Sequence, residues 1–228
     1  MGPGLIDLLV NGMLDKDIRE PLFDYLDERY GKVRTIEEKT INKSRADVLA
    51  IVEGCIIGFE IKSDSDTYTR LKRQIKDYEK FCDFCYVVVG ESHIHVDEHI
   101  PKYWGIIYVN QENVIVERDA EPSPKVKIEN QLDILWRNEL LNIQLKEGLP
   151  KLGNWKRADI YKRLVETAGE PTIKADITQQ LFERDYTIWD DQTIKKKKKR
   201  RQIKRKSSDK ARAHVTNYVG KRSSKNVK

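Results

Sequence analysis

Arg45-Ala46-Asp47-Val48-Leu49-Ala50-Ile51-Val52-Glu53-Gly54-Cys55-Ile56-Ile57-Gly58-Phe59-Glu60-Ile61-Lys62 reads as a β-hairpin, two apolar runs rich in β-branched residues joined by the turn Glu53-Gly54. Side chains alternate faces along a strand, so Glu60 and Lys62 project on one side, and the hairpin can bring Asp47 beside them. Two carboxylates offer hard oxygen donors, which suit Mg²⁺ or Mn²⁺. The adjacent ammonium can orient or deprotonate a water and balance charge at a phosphate, while such a metal acts as Lewis acid and lowers the pKa of water. Asp…Glu-x-Lys alone is a loose pattern. The competing reading makes Glu60-Ile61-Lys62 the solvent face of an amphipathic hairpin.

The next stretch, Ser63-Asp64-Ser65-Asp66-Thr67 and onward to Phe81, narrows the choice. Asp66 is placed to cap a helix, its oxygen accepting a free N–H of the first turn. Leu71, Ile75, Tyr78 and Cys82 recur at helical spacing and predict a buried stripe. Gln74 and Tyr78, four apart, lie on one side of that helix. Arg70, Lys72, Arg73, Lys76 and Lys80 cover much of the remainder.

Together these segments resemble the PD-(D/E)XK nuclease superfamily. The nearest likeness is a branch of small bacterial and phage proteins reading R-A-D-V, then E-I-K-S-D-x-D-T, then R-L-x-x-Q and a Tyr. Residues 18 to about 109 follow the pattern, including Ile18-Arg19-Glu20, Phe81-Cys82-Asp83, Val87-Val88-Val89-Gly90 and Pro101-Lys102-Tyr103-Trp104-Gly105. The resemblance implies an α/β fold with a mixed central β-sheet flanked by helices, a restriction-endonuclease-like core. It implies Asp47 and Glu60 as metal ligands with the backbone carbonyl of Ile61, Lys62 as the catalytic lysine, and Gln74 as a contact to phosphate or a support of the site. Tyr78 would pack beneath Gln74. Ala46 stands where the superfamily often has Pro, an ordinary variation.

A further acid often joins such a metal site. Glu20 is one candidate, although Asp17-x-x-Glu20 also reads as a capping box. Glu37 and Glu38, in the predicted strand 32–38, are equally open, and alternation lets only one of them face the site.

Charged residues make up 35% of the 228 and the hydrophobic ones 39%, which allows one substantial domain and a small one. No apolar run approaches the ~18 residues of a membrane span, and no basic-then-apolar signal peptide opens the chain. Cys55, Cys82 and Cys85 are odd in number. Cys82-Asp83-Phe84-Cys85 lacks a second Cys pair for zinc, so buried free thiols in a reducing, intracellular setting are expected. His93, His95 and His99 fall in an expected exposed connection, His93 and His95 on one side. Neither a GxSxG elbow nor a Walker loop is present, which leaves serine hydrolases and P-loop NTPases unsupported.

Charge is divided unequally. Residues 195–228 hold 16 Lys or Arg and one acid, Asp209, leaving 27 basic and 36 acidic residues in 1–194. Lys195, Lys196, Lys197, Lys198, Lys199, Arg200, Arg201, Lys204, Arg205 and Lys206 make ten cations in twelve positions. Self-repulsion and few apolar residues predict disorder when unbound. Counterion release would give such a tail salt-dependent, sequence-blind affinity for nucleic acid. The same charge would also serve nuclear import, docking to an acidic surface, or solubility.

Glu121-Pro122-Ser123-Pro124 marks a linker. Before it, 105–109 and 113–117 read as a strand pair. After it, Leu132, Leu135, Trp136, Leu140 and Ile143 form a helical stripe inside 130–147. Asn154 is placed to cap a second helix ending at Gly169, and Ile173, Ile177 and Leu181 suggest a third. Trp136 and Trp155 read as core residues. The expected organisation is an N-terminal segment 1–12, a nuclease-like core 13–120, a linker 121–125, a helical module 126–190 and a basic, disordered tail 191–228. The expected function is Mg²⁺- or Mn²⁺-dependent hydrolysis of phosphodiester bonds in DNA, with Arg70, Arg73 and the tail holding the nucleic acid. The alternative is a binding protein that keeps the fold without cutting. The expected setting is the cytoplasm of a bacterium, the protein bacterial or phage-encoded, with no membrane partner. Double-strand cutting by a one-site chain favours a homodimer.

Overall fold

Residues 12–90, 92–110, 113–150 and 155–185 are described by the structure, a computed structural model. The chain divides into two units, 1–183 and 184–228. The sheet, its helices and the site lie in the first. The cationic run 195–206, Asn154 and residues 1–11 lie outside the described residues.

The hairpin forms as read. Strand β2 (Ser44–Val52) returns antiparallel as β3 (Cys55–Lys62), with Val52 opposite Cys55. Gly54 turns the chain at φ +68°, a left-handed conformation that costs glycine nothing. Strand β1 (Arg34–Ile41) pairs antiparallel with β2 on the other side. Helix α2 (Leu71–Phe81) carries the chain over to β4 (Phe84–Val89), parallel to β3. Strand β5 (Gly105–Val109) adds parallel to β4, and β6 (Val114–Arg118) closes the edge antiparallel. The six strands lie in chain order in one mixed sheet. Strands β3 and β4 are covered on both faces, which explains their nearly unbroken apolar runs.

Helix α1 (Asp15–Tyr30) covers one face, packing Ile18, Leu22 and Leu26 with Val48, Phe59, Ile61 and Val88. Leu71, Ile75, Tyr78 and Cys82 cover the other through the predicted stripe. On that second face lie also α3 (Ile128–Ile134), α4 (Arg137–Lys146), α5 (Arg157–Ala168) and α6 (Glu170–Phe182). Ile173, Ile177 and Leu181 are fully buried there, each side chain contributing about 1.5–3 kcal/mol. The Pro-rich stretch joins rather than separates: Ser123 is buried, and its N–H donates to the Asp83 carbonyl.

Several expectations change. The stripe in 130–147 is carried by two helices, because Leu135 and Trp136 are extended and the Glu139 carboxylate accepts the Trp136 N–H at 2.6 Å to start α4. Leu135 and Leu140 both stay in the core, so apolar spacing reads through the break. Trp155 is 49% exposed, and Trp136 is only half-buried. Helix α1 begins one turn before Asp17-x-x-Glu20 suggests, and the Asp17 carboxylate accepts from the Leu14 N–H at 3.0 Å. His93 and His95 do not share a side: His95 is exposed, while His93 is buried between the Tyr68 hydroxyl and the Ser63 carbonyl. All three cysteines are free, Cys82 and Cys85 buried and Cys55 half-buried.

Gly58 lets α2 lie close against the sheet. A Cβ there would lie 2.6 Å from the Tyr78 ring and 2.7 Å from the Cys82 sulfur. Gly58→Ala should therefore destabilise the protein by roughly 1–3 kcal/mol through overpacking. Urea unfolding checks this; a midpoint equal to wild type would mean that α2 can slide away freely.

Candidate metal centre and phosphate-binding cavity

Register places the hairpin acids together. Val48 faces Phe59, so Asp47 falls opposite Glu60 one step further along, where Asp47 uses its side chain instead of the ladder. The Asp47 carboxylate accepts the Ile61 N–H at 2.9 Å. The Tyr78 hydroxyl, fully buried on α2, accepts the Asp47 N–H at 3.0 Å and donates to the Phe59 carbonyl at 3.1 Å. One phenol thus ties both acid-bearing strands to the helix. Tyr78→Phe should cost about 1–3 kcal/mol, since the part-buried Asp47 N–H loses its acceptor. Urea unfolding in EDTA measures this; a loss under 0.5 kcal/mol would deny the tie.

Glu60 is wholly buried and Lys62 only 3% exposed. One Glu60 oxygen, Oε1, accepts from the Lys62 ammonium at 2.5 Å and from the Gln74 amide at 2.5 Å. The Gln74 carbonyl in turn lies 3.4 Å from the ammonium. The other oxygen, Oε2, is buried with no hydrogen-bond partner. Burial, and then the neighbouring Glu60 charge, push the Asp47 carboxyl up to about 7. Burial also raises Glu60, against the pull of Lys62. Two desolvated carboxylates that resist ionising side by side, one with an oxygen left bare, form a site short of positive charge.

These donors fit a hard divalent cation. Such ions keep several waters and accept one or two carboxylates, here Asp47 and Glu60 with the Ile61 backbone beside them. Among the described residues, no group of three or more His, Cys, Asp or Glu side chains is arranged as an all-protein cage.

The possible further acids have separate fates. Glu20 is exposed and does not line the cavity. Glu38 adopts φ +52°, and its place in the β1–β2 ladder lies opposite Asp47, between the pairs Glu37–Val48 and Lys39–Ala46. That left-handed residue breaks the alternation expected of the strand. Both acids consequently reach the same guanidinium: Arg19 donates to Glu37 at 3.0 Å, to Glu38 at 2.8 Å and to the Asp47 carbonyl at 3.1 Å. Only Glu38 lines the cavity, where Arg45 holds it at 2.5 Å.

Asp66 does not cap α2. It accepts the Ser63 N–H at 2.9 Å and the Ser63 hydroxyl at 2.7 Å, closing the loop after β3, and a 3₁₀ turn over Tyr68–Arg70 leads into the helix. The loop thereby delivers Arg70 and Arg73 to a cavity of about 870 Å³ shared with Asp47, Glu60, Lys62 and Gln74. Lys16, Arg19, Lys43 and Arg45 also line it. Sequence reading missed these four as site residues. Arg19 stood inside a quoted pattern, but nothing local links it to Asp47, 28 positions away.

A family model described as Bacteriophage P4 protein cII matches residues 10–212. No curated protein matches the chain. The solved structure of a protein of unknown function from Silicibacter pomeroyi is similar at 18% identity and a TM-score of 0.43, covering 62% of this chain and 99% of that one. Among the described residues, no helix is long and apolar enough to cross a membrane.

Proposed function

The chain belongs to the bacteriophage P4 protein cII family, and from the geometry of its site we propose that it is a Mg²⁺- or Mn²⁺-dependent nuclease of PD-(D/E)XK type that hydrolyses DNA. The observation that carries this reading is the bare, buried Glu60 Oε2 beside a raised Asp47 carboxyl, with a buried lysine bonded to the same glutamate. A divalent ion bound there supplies Lewis acidity and a water of lowered pKa.

The chain's own groups do the rest. Asp47 and Glu60 hold the ion, and Gln74 and Tyr78 keep those acids in place. Lys62, locked by Glu60 and Gln74, points its ammonium where an attacking water can be oriented and phosphate charge offset. Arg70 and Arg73 bind the phosphate backbone, and the cations of 195–206 tether nucleic acid nearby. A cytoplasmic, phage-encoded setting and a homodimer for double-strand cutting complete the reading.

The test is cleavage of supercoiled plasmid and labelled single-stranded DNA in Mg²⁺ or Mn²⁺, with an EDTA control and a chain ending at Ile194. Cutting that needs the metal and weakens without the tail is expected. A chain that binds DNA through its tail and cuts nothing would instead be a binding protein on a nuclease fold.

A further inference from the structure

We infer that Asp64 is a positioning residue of this site, fixing the end of β3 so that the Lys62 ammonium keeps its place beside Glu60. This rests on the nuclease reading and adds a residue that does not line the cavity and on which the lysine depends.

Lys62 is the last residue of β3, and its ladder partner Val89 is the last of β4. Strand ends open more readily than strand middles. Beyond Lys62 the two chains share one further backbone bond, from the Gly90 N–H to the Lys62 carbonyl at 3.3 Å. That long bond alone is a weak hold for a buried ammonium whose placement matters to the reaction.

Asp64 supplies a stronger one. Its Oδ1 accepts the Ser92 N–H at 3.1 Å and the Ser92 hydroxyl at 2.6 Å, tying the chain after β4 to the chain after β3. Its Oδ2 accepts the Met13 N–H at 2.7 Å, and the Met13 carbonyl accepts the Asp64 N–H at 3.1 Å. The second pair fastens the same point to the segment entering α1. Two glycines make room for the carboxylate. A Cβ at Gly90 would lie 2.5 Å from Oδ1, and one at Gly12 would lie 2.9 Å from the Asp64 Cβ. Burial acts to raise the Asp64 carboxyl, but the Ser92 and Met13 donors outweigh it and hold the group below the usual carboxylate value.

Ser63, between Lys62 and Asp64, has little slack. Its N–H donates to Asp66 at 2.9 Å, and its carbonyl lies 2.8 Å from His93 Nε2. Movement at Asp64 is therefore passed to Lys62 through one fully bonded residue. Asp47 and Glu60 are held by other means, through the Ile61 N–H, Tyr78 and Gln74. Loss of Asp64 should displace the lysine and spare the metal.

Asp64→Ala should lower kcat for DNA cleavage by about 10- to 10²-fold, the order lost when a reacting group moves by ~1 Å. KM and Mn²⁺ affinity by calorimetry should stay at wild-type values. In a Lys62→Met background the same substitution should change the residual rate by no more than about twofold, because the group it places is gone. An equal loss in both backgrounds, or a raised KM with kcat intact, would overturn the inference. Ser92 is exposed, so Ser92→Ala leaves the fold intact while removing the hydroxyl donor, and should give a smaller kcat loss of the same kind. Amide exchange provides a readout that needs no cutting. In Asp64→Ala the Gly90 N–H should exchange about 10-fold faster, while the Ile61 N–H keeps its wild-type rate. Unchanged exchange at Gly90, or equal acceleration at both amides, would overturn the positioning role. A wild-type protein that cuts nothing would end the nuclease reading alone, and exchange would still decide whether Asp64 holds Lys62.

Discussion

Lys62→Met should abolish DNA cleavage, by a factor of about 10²–10⁴, the range expected when a positioned proton-transfer group is lost. The side chain is buried, and its ammonium touches only Glu60 and Gln74 among the hydrogen bonds of the site. Met preserves most of the apolar stem. Glu60 loses its cation, which raises its need for another, so Mn²⁺ binding by calorimetry should persist. Glu60→Gln should behave differently: cleavage and metal binding fall together, and the stranded Lys62 ammonium costs roughly 3–5 kcal/mol of stability. The contrast separates a lysine that acts on the reaction from one that merely neutralises a core carboxylate. If Lys62→Met cuts at the wild-type rate, the catalytic assignment is wrong, whatever happens at Glu60.

Asp47→Asn should make the metal-free protein more stable at pH 8. The Asp47 carboxyl sits at about 7 in the fold, above its ordinary value of 3.8, because burial and the Glu60 charge oppose its ionisation. A group raised by folding contributes stability below its unfolded pKa, and that contribution is lost as pH rises through the folded value. At pH 4 the wild-type side chain is largely neutral in the fold, and Asn, which can still accept the Ile61 N–H, changes little. At pH 8 wild type carries an opposed charge and Asn does not. A shift of this size corresponds to at most about 4 kcal/mol at about 1.4 kcal/mol per unit. The melting temperature in EDTA should rise by roughly 5–10 °C at pH 8 and hardly at all at pH 4. Mn²⁺ should reverse the order at pH 8, because only wild type keeps both ligands. An Asn variant less stable than wild type at pH 8 in EDTA would show that Asp47 is held by its bonds and not strained by its charge.

Much of this was legible in the chain because it depends on local periodicity. Alternation within Asp47–Val52 and Cys55–Lys62 is sufficient to put Glu60 and Lys62 on one side, and Gly54 marks the turn that returns Asp47 to them. Helical spacing likewise identified Leu71, Ile75 and Tyr78 as the buried face of α2, and Ile173, Ile177 and Leu181 as that of α6. Those patterns survive because burial selects for them directly.

What only the tertiary structure decided involves long-range or irregular backbone. Glu37 and Glu38 converge on Arg19 because one residue adopts a left-handed φ, which no apolar pattern records. The break at Leu135 and Trp136 is invisible because the core accepts Leu135 and Leu140 from two helices as readily as from one. Asp66 binds Ser63 instead of capping α2, a choice between two nearby sets of donors that is settled by the loop's closure. The remaining cations of the cavity were hidden most completely. Lys16, Arg19, Lys43 and Arg45 join Arg70 and Arg73 on elements whose common end exists only once two helices have packed on opposite faces of one sheet. The residues of the chemistry follow from strand alternation; the space around them follows from packing.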